Sequence, residues 1–187
     1  RGGQPMLALA VNLLADHFAR AGWPETLRDR LQEHRLAAEW LHLEITESTL
    51  LHEDPCVMDN IRLLREMGVR LSLDDFGTGY SALSYLDRIT VDELKIDRSF
   101  IERIRSPDDA ASLVRAIIGI GKEMKLNVVG EGVETRLQAE FLRALGCHHG
   151  QGYWFARPMP EPEFDHWLSR HSQTNMLTRD TGPVPLH

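Results

Sequence analysis

The chain has 187 residues, 42% hydrophobic and 26% charged, with two cysteines and a net charge of −7, values that exclude collagen-like, low-complexity and disulfide-stapled classes. Asp16, Arg70, Lys95 and Lys122 break every apolar run short of the roughly 18 residues a membrane helix needs. An acidic chain without a basic run is poorly suited to gripping long DNA or RNA through phosphates and well suited to holding divalent cations.

Short apolar segments alternate with longer amphipathic ones along the chain. The pattern predicts strands at Leu7–Val11, Leu41–Ile45, Val69–Leu73, Val91–Ile96, Leu126–Gly130 and around Gly150–Phe155. Between them it predicts helices at Glu25–Arg35, Pro55–Met67 closed by Gly68, Ser106–Lys125 opening Ser-Pro-Asp-Asp, and Thr135–Leu145 closed by Gly146. Leu113, Ile117 and Ile120 form the expected core stripe of the third helix. One domain is expected over residues 1–170. A polar tail with Pro183 and Pro185 follows over 171–187.

Strand–helix alternation calls for a parallel sheet with crossover helices. Each strand ends in chemically capable groups: Asn12; Glu44 to Glu47; Asp74 and Asp75; Lys95 and Asp97; Glu131 and Glu134; Gln151. Polar groups delivered at the carboxyl end of every strand favour a TIM-like (β/α) barrel. An open doubly wound sheet gathers its ligands at one switch point, often with a glycine-rich phosphate loop, and no GxGxxG or GxxxxGK[ST] occurs. A closed barrel of this kind needs eight strands and about 250 residues. Six strands are predicted here, so the barrel is expected to be incomplete at its N-terminal side. A start at Arg1 rather than Met is expected of a piece of a longer polypeptide, and the opening residues show no signal-peptide pattern. Cys56 and Cys147 lack CxxC partners and point to a reducing compartment, hence a cytoplasmic domain whose parent could still be membrane-anchored.

Adjacent carboxylates at Asp74–Asp75 repel each other, and a metal ion, or a pair about 3.5–4 Å apart, is the cheapest compensation. Gly77 and Gly79 permit an unusual backbone path in the loop that follows. The plainer alternative is a turn with an Asp cap. Glu44, on the opposite face of its strand from Leu43 and Ile45, is costly unless it binds a cation or pairs. Lys95 and Asp97 share a strand face, which allows a charge-neutralising lysine, a Schiff-base lysine or a simple Lys95–Asp97 ion pair. Gly130 and Gly132 flank Glu131, and Gly150 and Gly152 flank Gln151, so the backbone can come close to a ligand at both. His148–His149 is not a metal spacing, and the four tryptophans read as packing residues.

Taken together, Glu-Ile-Thr-Glu at 44–47, Asp-Asp-Phe-Gly-Thr-Gly-Tyr-Ser at 74–81, Lys-Ile-Asp-Arg-Ser-Phe at 95–100, Gly-Glu-Gly-Val-Glu-Thr at 130–135 and Gln-Gly-Tyr at 151–153 resemble the EAL domain, the bacterial cyclic di-GMP phosphodiesterase. Val11-Asn12 fits the same order. The resemblance runs from about Ala8 to Pro160 and implies a modified (β/α) barrel. It implies metal ligation by Asn12, Glu44, Asp74, Asp75 and Glu131, with Asp74 bridging two Mg²⁺ or Mn²⁺ ions. Lys95 would orient the attacking water and Glu131 would serve as catalytic base. Glu47 would anchor the loop after Asp75, with Glu134 in support, and Gln151 and Asp97 would lie near substrate. The implied reaction is hydrolysis of cyclic di-GMP to linear pGpG, in a homodimer fused upstream to a sensor or diguanylate cyclase module. Three departures stand out. The Glu-Ala-Leu signature, with its metal-ligating glutamate, is absent, Leu14 replaces a small hydroxyl residue, and Gly130 stands where alanine is common. The parent protein is therefore expected to be competent and the 187-residue piece impaired unless those strands are supplied. Two other readings remain: a catalytically silent cyclic di-GMP receptor, and a Schiff-base aldolase built on Lys95.

Overall fold

The structure, a computed structural model, describes residues 7–50, 54–78, 86, 89–106 and 111–171. Its described strands are β1 (Leu9–Asn12), β2 (Leu41–Thr46), β3 (Arg70–Phe76), β4 (Glu93–Ile96), β5 (Asn127–Gly130) and β6 (His149–Gly150). They form one sheet in the order β1-β2-β3-β4-β5-β6, each pairing in parallel with the next. Parallel neighbours in strict chain order are what a (β/α) barrel requires. The six strands make a curled, half-barrel arc, so the fold is α/β and TIM-like but incomplete.

The helices are α1 (Ala15–Phe18), α2 (Trp23–Glu33), α3 (Glu47–Leu50), α4 (Pro55–Glu66), α5 (Arg98–Ile101), α6 (Ser112–Glu123), α7 (Arg136–Ala144) and α8 (Glu161–His171). Local chemistry sets their ends. Asp54 caps α4 by accepting from the Cys56 backbone N–H at 2.8 Å, with Pro55 at the first helical position. Gly68 and Gly146 adopt left-handed φ of 91° and 79° just past α4 and α7, as helix-closing glycines do. Alternate strand residues Leu43, Ile45, Leu71, Leu73, Leu94, Ile96 and Val128 are buried with Ile61, Leu64, Val114, Ile117, Ile118 and Leu142 of the helices. The opposite strand face holds the buried polar side chains Glu44, Ser72, Asp74 and Lys95, beside the buried Val129.

Four expectations need correction. The last strand is only His149–Gly150, because the chain turns at once to hydrogen-bond Val133. Val133 N–H donates to Gln151 O at 3.0 Å and Trp154 N–H donates to Val133 O at 2.9 Å. Helix α6 begins at Ser112 after an Ala111 cap rather than at Ser106, and residues 107–110 of the expected cap lie outside the described residues. Its buried face is Val114, Ile117, Ile118 and Gly121, while Leu113 is 43% exposed. Helix α8 was not expected from the periodicity; Glu161 and Glu163 in its first turn and Leu168 on its buried side are its sequence signals. No described helix is long and apolar enough to cross a membrane.

Candidate active site at the C-terminal rim

Sheet pairing brings the predicted residues to one rim. In register, Asn12 lies opposite Glu44 and Thr46 opposite Asp74. Between β3 and β4 the register shifts: Leu73 pairs with Leu94 and Phe76 with Ile96. Asp74 and Asp75 therefore share Lys95 as their one counterpart, a β-bulge. Asp75 sits in the left-handed region at φ 56° and its backbone N–H donates to Asp74 Oδ1 at 3.0 Å. On a regular strand these neighbours would face opposite ways; the bulge and the left-handed Asp75 relax that alternation. Gly77 follows at φ 96°, a value that favours glycine, with an added Cβ only 3.1 Å from Ile117 Cδ1. Gly79 lies outside the described residues.

Lys95 is the centre of the cluster. Its Nζ is 2.6 Å from Glu131 Oε1, 2.8 Å from Glu44 Oε2 and 3.4 Å from Asp74 Oδ1. The Lys95 side chain is 4% exposed and those of Glu44, Asp74 and Glu131 are 8%, 12% and 19%. Burial pulls the Lys95 ammonium downward, but hydrogen bonds to Glu131 and Glu44 and the nearby Asp74 charge hold it well above the usual lysine range. Burial raises the Asp75 carboxyl above its ordinary value, and Asp74 and Asp97 add to the rise. Glu131 is likewise raised by burial, against the pull of Lys95. With Asp75 included, four carboxylates crowd one ammonium. That deficit of positive charge suits a divalent cation, and carboxylate oxygens are the donors Mg²⁺ and Mn²⁺ prefer. Among the described residues, no three histidine, cysteine or carboxylate side chains are already spaced to hold a metal ion. Glu44, Asp74 and Glu131 are gathered on Lys95 instead.

The other predicted residues surround this centre. Asp97 is not a partner of Lys95. It caps α5, its Oδ1 accepting from the Ser99 backbone N–H at 3.0 Å and from the Ser99 hydroxyl, which corrects the Lys95–Asp97 ion pair. Glu47 opens α3 and is 4% exposed. Gln151 is exposed just after β6, its backbone bonded to Gly130 and Val133. Glu134 pairs with Arg98 at 2.9 Å, and Arg98 also binds Glu102. Sequence reasoning missed Arg98, which braces the rim and lies so close to Gly132 that a Cβ there would come within 2.3 Å of Arg98 Cγ. It also missed Gln138. That side chain accepts from the Glu134 and Thr135 backbone N–H groups at 2.8 and 3.0 Å and donates to Ile101 O at 3.2 Å. Its signal was legible as Thr135-x-x-Gln138, a capping box.

The EAL domain family model matches residues 1–158. The chain belongs to the EAL domain family. Among curated proteins it is 46% identical over 159 residues to the bifunctional diguanylate cyclase/cyclic di-GMP phosphodiesterase MucR of Pseudomonas aeruginosa, covering 85% of this chain and 23% of that protein. Against the oxygen sensor protein DosP of Escherichia coli the identity is 44%, over 87% of this chain and 20% of that protein. The chain thus spans less than a quarter of the length of these curated relatives. Among solved structures, the MucR phosphodiesterase in complex with c-di-GMP superposes with a TM-score of 0.78 at 45% identity, over 84% of this chain and 64% of that one. The manganese/cyclic di-GMP complex of BlrP1 from Klebsiella pneumoniae gives a TM-score of 0.71 at 29% identity, over 81% of this chain and 39% of that one.

Proposed function

We propose that this EAL domain belongs to a cyclic di-GMP phosphodiesterase that hydrolyses its substrate to linear pGpG. The observation that carries the reading is the convergence of Glu44, Asp74 and Glu131, from three separate strands, on the Lys95 ammonium. MucR, described as a cyclic di-GMP phosphodiesterase and solved with that ligand, and the manganese complex of BlrP1 support it.

Asn12, Glu44, Asp74, Asp75 and Glu131 would hold one or two Mg²⁺ or Mn²⁺ ions, which when bound acidify water and offset charge on the reacting phosphate. Glu131 takes up the proton of the attacking water at a carboxylate oxygen. Water oxygen bonds to phosphorus as one P–O3′ ester bond breaks, and the freed 3′ oxygen leaves as a hydroxyl. Lys95 Nζ orients the water and offsets charge on the phosphoryl oxygens. Gln151 and Asp97 contact substrate. Glu47 anchors the loop after Asp75, with Glu134 steadying the rim through Arg98. We read residues 1–170 as the domain and 171–187 as a tail. The setting we infer is cytoplasmic, in a homodimer within a longer protein carrying a sensor or diguanylate cyclase module, in keeping with the small share of its relatives that the chain spans.

The test is hydrolysis by the full-length protein with Mg²⁺ or Mn²⁺, the product separated by chromatography. Wild type should yield pGpG, while Asp74→Asn and Lys95→Ala should each lose about a hundredfold or more in rate. Binding of cyclic di-GMP with no cleavage in either metal would establish a receptor instead.

A further inference from the structure

We propose that Lys95 is the resident counter-ion of the acidic cluster: its ammonium holds the Glu44, Asp74 and Glu131 carboxylates together in the metal-free protein and competes with a divalent cation for them. The inference rests on the metal-binding reading of the same site and goes beyond it by assigning Lys95 a role in metal affinity.

An ammonium has three N–H donors and no acceptor. Three carboxylates stand within 2.6–3.4 Å of Lys95 Nζ, Glu131 and Glu44 as hydrogen-bond partners and Asp74 as a nearby charge. Two of the three donors are thereby engaged by Glu131 and Glu44. One oxygen of each acid faces the ammonium: Glu131 Oε1, Glu44 Oε2 and Asp74 Oδ1. Buried carboxylates without a cation are costly. A lysine fixed on β4 between the fully buried Leu94 and Ile96 offsets that cost without any ion. The bulge that sets Asp74 and Asp75 against Lys95 delivers the arrangement through the backbone. A bound divalent ion would share the same oxygens with this fixed positive charge a few ångströms away, a repulsion that lowers metal affinity.

The test is Mn²⁺ titration by calorimetry of the chelator-treated protein as wild type, Lys95→Met and Lys95→Arg, with thermal unfolding in chelator and in Mn²⁺. Removing the charge should tighten Mn²⁺ binding about tenfold or more. Lys95→Met should also melt lower than wild type in chelator and gain more from Mn²⁺. Lys95→Arg, which keeps the charge, should not tighten. Binding by Lys95→Met that is no tighter than wild type, or equal tightening by both variants, overturns the proposal. An independent readout uses the wild-type sequence of this chain, whose 187 residues carry three lysines, Lys95, Lys122 and Lys125. Acetylation of Lys95 followed by mass spectrometry, with the other two as internal references, should rise severalfold when Mn²⁺ saturates the site. Unchanged labelling overturns the idea even if Lys95→Met fails to fold. Should wild type take up no Mn²⁺ at all, the metal reading falls as well. Uptake without tightening in Lys95→Met removes only the counter-ion role.

Discussion

Asp75 combines two burdens: a left-handed backbone at φ 56° and a carboxyl raised by burial and by Asp74 and Asp97. Non-glycine residues at positive φ cost about 1 kcal/mol and persist where the surroundings over-determine them. Asp75→Gly should therefore raise the stability of the metal-free protein by about 0.5–1 kcal/mol in denaturant titration while abolishing hydrolysis by the full-length protein. The pH dependence follows from the same residue. A carboxyl whose folded value lies above its unfolded one keeps its proton more readily in the native state, so ionising it removes stability. In chelator, this contribution should decline as pH rises from the ordinary Asp value of 3.8 through the raised one. Asp75→Asn should flatten that part of the melting-temperature profile, and Mn²⁺ should reverse its sign.

At the scale of elements, the rim depends on close backbone contacts. Gly152 has φ 153°, and an added Cβ would lie 2.3 Å from both Val133 N and Val133 O, atoms that cannot swing aside. Gly152→Ala should cost about 2–4 kcal/mol, visible as a lowered denaturant midpoint and lost β5–β6 pairing. Gln138→Ala should cost about 1–2 kcal/mol through loss of the capping box and of the buried hydrogen bond to the Ile101 carbonyl, which keeps only its bond from the Ile104 N–H. Most elements were legible because period and caps agreed: apolar β2 to β5, Asp54–Pro55 opening α4, Gly68 and Gly146 closing α4 and α7. The acids and Lys95 were legible too, because each stands at the end of an apolar run. The bulge at Asp74–Asp75 was not, since local alternation says nothing of register against a neighbour. The partners of Lys95 were hidden for the same reason: Glu44 and Glu131 are 51 and 36 positions away along the chain. The short last strand escaped because Tyr153, Trp154 and Phe155 carry β propensity that the hydrogen bonds to Val133 override.

At the scale of the molecule, β1 is an edge strand of the arc, pairing with β2 alone among the described residues. Leu9 is 65% exposed, Leu7 47% and Leu14 71%. An apolar edge of this kind is a template for unwanted pairing. Leu9→Lys should reduce light scattering by this chain at high concentration with little change in circular dichroism. The order in which the strands lie side by side repeats the order in which they are synthesised, from β1 to β6. Each of β2 to β6, on leaving the ribosome, finds the preceding strand of the sheet already made, so these pairings never wait for a distant segment of the chain. The arc can grow by accretion, and its acidic rim is assembled only near the end, when β5 brings Glu131 to residues already in place.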